Sequence, residues 1–216
     1  MTAQTLLVQK SSGIDLQGRH AAVGGRVPVH LAVGATEQPG DGDAQGVAVG
    51  DQHEVTLGAG QTTTIAGPGN TIISSQINAG GTNTGAILKS AGGSLGGTLV
   101  LSNSNNLFSG GLQLESGGTV RVANGGALGT GAVNYLNVSG GILEVRADQA
   151  DIASFSTRNV TMNASGTIFV DRAVGGSSIN QTVDFGTFAL GTNRTLTLNG
   201  RNGYGFSIGV PATNLG

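Results

Sequence analysis

Four acids in the C-terminal half are the residues with the clearest chemical potential. Asp148, Asp151, Asp171 and Asp184 are the acids of interest for glycan chemistry. Paired carboxylates perform the acid–base work of glycoside cleavage. Such a site also needs a groove lined by basic and aromatic groups. The nearby arginines Arg146, Arg158, Arg172 and Arg194 are scattered, tryptophan is absent, and the tyrosines are limited to Tyr135 and Tyr204. Solvated corner charges account for these residues, and a polysaccharide-active enzyme is the weakest of the functional readings.

Other motifs resolve the same way. Asp41-Gly42-Asp43-Ala44-Gln45-Gly46 imitates the first half of a calcium loop, but the twelfth position is Gln52, where a bidentate glutamate is required. It reads as an acidic turn. His20, His30 and His53 lie 10 and 23 residues apart with no cysteine or carboxylate at metal-ligand spacing. Gly58-Ala59-Gly60 and Gly129-Thr130-Gly131 lack the Lys-Ser/Thr of a phosphate loop and read as turns. No G-x-S-x-G nucleophile elbow occurs. Asn163-Ala164-Ser165 and Asn193-Arg194-Thr195 match the glycosylation acceptor pattern, which an Asn/Thr-rich chain produces by chance. No catalytic, cofactor-binding or metal-binding residue is expected, and no cofactor.

The elements that would position these residues are short strands. Leu99 and Leu101 alternate with Val100, Leu112 and Leu114 with Gln113, and Val120 and Val122 with Arg121. Period-two alternation marks a strand with one face buried. Glycine pairs and asparagines punctuate the strands and turn the chain. The unit repeats: Gly97-Thr98-Leu99-Val100-Leu101 is echoed by Gly118-Thr119-Val120-Arg121-Val122, Gly141-Ile142-Leu143-Glu144-Val145 and Gly166-Thr167-Ile168-Phe169-Val170. The leading glycines are 21, 23 and 25 residues apart, a period typical of solenoids. Arg194-Thr195-Leu196-Thr197-Leu198 is a fifth echo without the glycine. Strands are also expected at Val55-Thr56-Leu57, Thr62 to Ile65, Thr71 to Ile77, Ala86 to Lys89, Val160 to Met162, Thr182 to Phe185, Phe188 to Leu190 and Phe206 to Ile208. Asp148 to Phe155 has the best local helical spacing and suits a corner. If Asn105 or Asn106 stacks on an asparagine of the next coil, an amide ladder forms.

Composition agrees with a solenoid. Glycine supplies 40 of 216 residues, charged residues 10% and apolar ones 38%. A charge fraction well below the usual ~25% still leaves enough in-phase apolar residues for a core. A net charge of −2 gives no footprint for nucleic acid. With no cysteine, disulfides and thiolate sites are excluded. No apolar run reaches the ~18 residues of a membrane-spanning helix, and the N-terminus does not read as a signal peptide. Residues 1–54 hold all three histidines and a Pro- and acid-rich run, Glu37 to Asp43. They read as an irregular or poorly ordered N-terminal segment with a few loose strands such as Arg26 to Val33. Residues 55–216 form the repeat domain, with seven or so coils in a rod of roughly 35 Å. The last strand pattern has no visible cap after it, which suggests a piece of a longer polypeptide.

The stretch Thr98 to Val133 resembles the autotransporter-associated β-strand repeat, also called the passenger-associated transport repeat. The matching residues are Gly97-Thr98-Leu99, Leu101, Asn105-Asn106, Gly110-Gly111, Gly117-Gly118-Thr119-Val120, Ala127-Leu128-Gly129 and Gly131. Leu107-Phe108 stands where the family has Thr-Tyr. Lys89 with Gly92-Gly93 resembles the family's Lys-x-Gly-x-Gly entry with a longer spacer. The resemblance implies a right-handed parallel β-helix in the passenger of a type V secreted bacterial protein, extracellular or at the cell surface. It implies a role in passenger folding and export, with the membrane β-barrel of the longer polypeptide or the export machinery as partner. An adhesin binding a host protein or glycan is the alternative, with Leu107-Phe108 as the seed of an exposed apolar stripe.

Overall fold

The computed structural model describes residues 5–8, 30–33, 47–49, 55–57, 60, 62–79, 85–90, 96–130 and 135–208. Its early strands are β1 (Thr5–Val8), β2 (His30–Val33), β3 (Val47–Val49) and β4 (Val55–Leu57). The next two coils hold β5 (Thr62–Ala66), β6 (Thr71–Ile73), β7 (Ile77–Ala79), β8 (Ala86–Lys89) and β9 (Thr98–Leu101). Then come β10 (Leu112–Glu115), β11 (Thr119–Val122), β12 (Tyr135–Ser139) and β13 (Ile142–Arg146). The last are β14 (Asn159–Ala164), β15 (Gly166–Asp171), β16 (Thr182–Phe185), β17 (Phe188–Leu190), β18 (Leu196–Gly200) and β19 (Gly205–Ile208). All named strand pairings are parallel, and the strands stack into about six coils of a β-solenoid.

The strands form an eight-stranded first sheet, β1-β2-β5-β8-β10-β12-β14-β17, and a seven-stranded second sheet, β3-β6-β9-β11-β13-β15-β18, with successive coils adding neighbours to both. The third side carries the short pairs β4-β7 and β16-β19 and, between them, corner segments. The described strands of residues 1–54 pair into the same two sheets: β2 joins β5 and β3 joins β6.

The first four echoes pair directly, residue for residue. Leu99, Val120, Leu143 and Ile168 form one inward lane of the second sheet, and Leu101, Val122, Val145 and Val170 the other. All eight side chains are buried. The leading glycines are required by close approach: a Cβ on Gly141 would sit 2.7 Å from the Gly118 carbonyl oxygen. The fifth echo differs from expectation. Ile168 pairs with Leu198, not Leu196, a shift of two residues. Gly166 N–H donates to Thr195 O, and Thr195 N–H to Ser165 Oγ, which fixes this register at the corner.

Thr71 to Ile77 is not one strand. It bends at Ser74 to Gln76, between β6 and β7, while Thr71, Ile73, Ser75 and Ile77 all remain buried. Asp148 to Phe155 is a corner: one α-helical turn, α1 (Gln149–Ile152), running into a 3-10 turn at Ala153–Phe155. On the third side Phe155 and Phe185 lie 5.5 Å apart, and Phe185 and Phe206 5.3 Å apart, an aromatic stack through successive coils.

Candidate functional site

The outward lanes of the second sheet carry the chemistry. One lane runs Ile72, Val100, Arg121, Glu144, Phe169, Asn199 across successive strands. The lane beside it brings Arg146 against Asp171. The Arg121 Nε donates to Glu144 Oε2 at 2.7 Å and Arg146 Nε to Glu144 Oε1 at 2.6 Å. Arg146 Nη1 reaches Asp171 Oδ2 at 3.1 Å. Asp171 Oδ1 accepts from its neighbour's backbone, Arg172 N–H, and from Asn202 Nδ2. Both carboxylates are buried, Glu144 at 7% and Asp171 at 4% exposure, which their guanidinium and amide partners make tolerable.

Phe169 lies beside this network. The guanidinium of Arg146 sits 5.2 Å from its ring centroid and that of Arg201 5.5 Å. Arg201 pairs with no carboxylate among the described residues. Around the ring is an open depression of about 290 Å³, lined also by Thr119, Ile142, Thr167 and Asn199.

The four aspartates are not gathered into one site. Asp171 joins the network just described. Asp148 precedes α1, and its Oδ1 is buried without a hydrogen-bond partner among the described residues. Asp151 accepts from Asn124 Nδ2 at 2.7 Å, and Asp184 is exposed on β16. The acid that does converge with Asp171 on an arginine is Glu144. The scattered arginines need one correction: Arg146 bridges Glu144 and Asp171, while Arg158 donates to the Gly129 carbonyl one coil away and is lowered by burial. Tyr204 is buried, donating to Ala147 O at 2.8 Å. Burial pushes its phenol up, Asp148 and Asp171 add to this, and a Ser178 hydrogen bond opposes it.

Leu107-Phe108 does not seed an exposed stripe: Phe108 is 0% exposed and packs in the core. Apolar exposure lies instead at Ile72, Ile142 and Leu198 on the second sheet and at Val174 and Ile179 between β15 and β16. Asn105 and Asn106 form no amide ladder. Asn106 is buried and bridges three coils, its Oδ1 accepting from Ile77 N–H and its Nδ2 donating to Ala127 O, each at 2.9 Å. An asparagine pair across coils occurs elsewhere, Asn163 Nδ2 to Asn137 Oδ1 at 3.2 Å. In the calcium-like segment, residues 47–49 form β3. The rest of that segment, with His20, His53 and Gly58-Ala59, lies outside the described residues, and of His30 only the backbone in β2 is described.

Two features escaped the sequence reading. Lys89 occupies an inward lane, Ile65–Lys89–Leu114–Val138, at 2% exposure, and its Nζ donates to Ser90 O at 2.7 Å. Burial lowers its pKa. The alternation Ile87 in, Leu88 out was the available signal that Lys89 points inward. The Arg121–Glu144 pair was legible from aligning the second and third repeats, which places Arg121 opposite Glu144.

No family model matches the chain, and neither does any curated protein or solved structure.

Proposed function

We propose that the chain is a structural stalk segment of a bacterial autotransporter-like surface or secreted protein, folding coil by coil as it is exported. The observation that carries this reading is the direct stacking of the repeats: β9, β11, β13 and β15 are consecutive neighbours in one sheet, so one repeat makes one coil. A solenoid of this kind adds stability by nearest-neighbour contacts and propagates along its axis. The partner in export is the membrane β-barrel of a longer polypeptide or its export machinery. In this reading Glu144 and Asp171 are structural. Held by guanidiniums, they act as acceptors that tie successive coils together. Deleting residues 97–133 should abolish surface display on intact cells and protease resistance of the exported protein. Undiminished display and resistance would overturn the stalk reading.

A second reading, an adhesin for a host protein or glycan, draws on one observation: the depression around Phe169 with the exposed Ile142 in its lining. Replacing Ile142 and Phe169 together by alanine would then reduce cell attachment while leaving display intact. Unchanged attachment would dismiss it.

A further inference from the structure

Of the three ion pairs on the second sheet, Arg146–Glu144 lies within β13, and the two that cross between strands run in one direction. In Arg121–Glu144 the arginine lies on β11 and the acid on β13, one coil later; in Arg146–Asp171 the arginine lies on β13 and the acid on β15, again one coil later. Arg201 continues the second series. Its N–H donates to Val170 O, extending the β15–β18 ladder by one residue and placing Arg201 level with Asp171. By the same rule its acid belongs to the strand after β18, and β18 is the last strand of its sheet among the described residues.

An independent observation marks the same edge. The inward lane Leu99–Val120–Leu143–Ile168 is 0% exposed at every position, but Leu198, next in that lane, is 47% exposed. A core position is therefore bare on the side facing away from β15. Arg201 is meanwhile placed over the Phe169 ring, with no carboxylate paired to it among the described residues.

We propose that the edge of β18 takes a parallel strand from another β-solenoid coil, one with an apolar residue opposite Leu198 and a carboxylate opposite Arg201. The required pattern is apolar-x-x-acid, the pattern Ile168 to Asp171 presents to β13. Strand addition of this type draws affinity from main-chain hydrogen bonds and specificity from alternate side chains. Residues 209–216, Gly-Val-Pro-Ala-Thr-Asn-Leu-Gly, contain no acidic side chain and do not meet the requirement. Antiparallel pairing of two β18 edges centred on Leu198 would set Arg201 opposite Thr195, again without an acid. The proposal rests on the stalk reading only for the source of the strand.

The test uses the full chain and a fluorescent peptide of residues 166–172, Gly-Thr-Ile-Phe-Val-Asp-Arg, followed by polarisation. Saturable binding is expected, weakened at least about tenfold by Asp171→Lys in the peptide. Arg201→Glu in the protein should weaken the parent peptide similarly and restore the Asp171→Lys peptide. Leu198→Asp should abolish binding of both. Circular dichroism of each variant verifies the fold. No saturable binding, or binding indifferent to the charge swap, overturns the proposal. So does equal binding of a Gly-Asp-Gly-Asp peptide, which would mean charge attraction alone. Self-association of the chain that Arg201→Glu removes would assign the edge to a second copy and likewise overturn it. Surface display of the 97–133 deletion is a separate readout, so failure here leaves the stalk reading intact.

Discussion

Replacing Asn106 by alanine removes one side chain and orphans two groups in different coils. Ile77 N–H loses its acceptor and Ala127 C=O its donor, both at buried bonds of 2.9 Å. A buried polar group left without a partner costs ~1–3 kcal/mol. Two of them cost about 2–6 kcal/mol, a large fraction of the stability of an ordinary domain. Asn106→Asp separates the two halves of the effect. The carboxylate still accepts from Ile77 N–H, but it now faces the Ala127 carbonyl. Burial and that carbonyl both disfavour the charged form, so the folded-state pKa rises above the unfolded value of ~3.9. The aspartate variant should then be most stable below that unfolded value, where a protonated oxygen donates to Ala127. Stability should fall as pH rises through the raised folded pKa. Urea unfolding at acid and neutral pH measures the totals, and amide exchange at Ile77 reports the local bond. An alanine variant within about 0.5 kcal/mol of the parent, with Ile77 still protected, would refute the reasoning, since that is the scatter of an ordinary surface substitution.

Lys89→Met should stabilise the chain by ~1–3 kcal/mol near neutral pH, because an inward apolar lane no longer holds an amine. The folded-state pKa of Lys89 is lowered, so in the parent the unfolded chain binds more protons between that value and 10.5, and stability rises with pH across that window. The methionine variant should lack this rise; an identical pH profile in urea unfolding would count against the burial argument. Arg146→Ala should cost about 3–5 kcal/mol in urea unfolding, since the buried Glu144 and Asp171 lose a shared cation. Arg146→Met, which keeps an apolar stem beside Phe169, should cost about as much; a loss confined to the alanine variant would point to packing on Phe169 instead. Phe185→Ala should cost ~3–5 kcal/mol by opening a cavity between Phe155 and Phe206. A cost below about 1 kcal/mol in the same assay would mean that the aromatic stack collapses around the gap.

Much of the site was hidden for a definite reason. Arg146 and Asp171 are 25 residues apart, and only the coil period makes them neighbours. Glu144 reads as one outward charge among others until β11 and β13 are paired through the register Arg121↔Glu144. Phe169 has the look of a core residue, yet it alternates outward between buried Ile168 and Val170. Conversely, Phe108 stands in a polar Asn-rich stretch and is buried because the chain turns there onto the third side of the coil.

The alternation of apolar residues, by itself, determined which face of each strand points inward, because side chains change sides at every residue along a strand. The repeat spacing determined that β9, β11, β13 and β15 stack in one sheet and in one register. Only the tertiary structure decided the register of β18. A slip of two residues keeps the same faces inward, so alternation is blind to it. The choice rests on hydrogen bonds at the corner, Gly166 N–H to Thr195 O and Thr195 N–H to Ser165 Oγ, made between residues about 30 apart. The same limit explains Asn106. Its type marked a turn, but the two coils it joins, through Ile77 and Ala127, become neighbours only once the solenoid is wound.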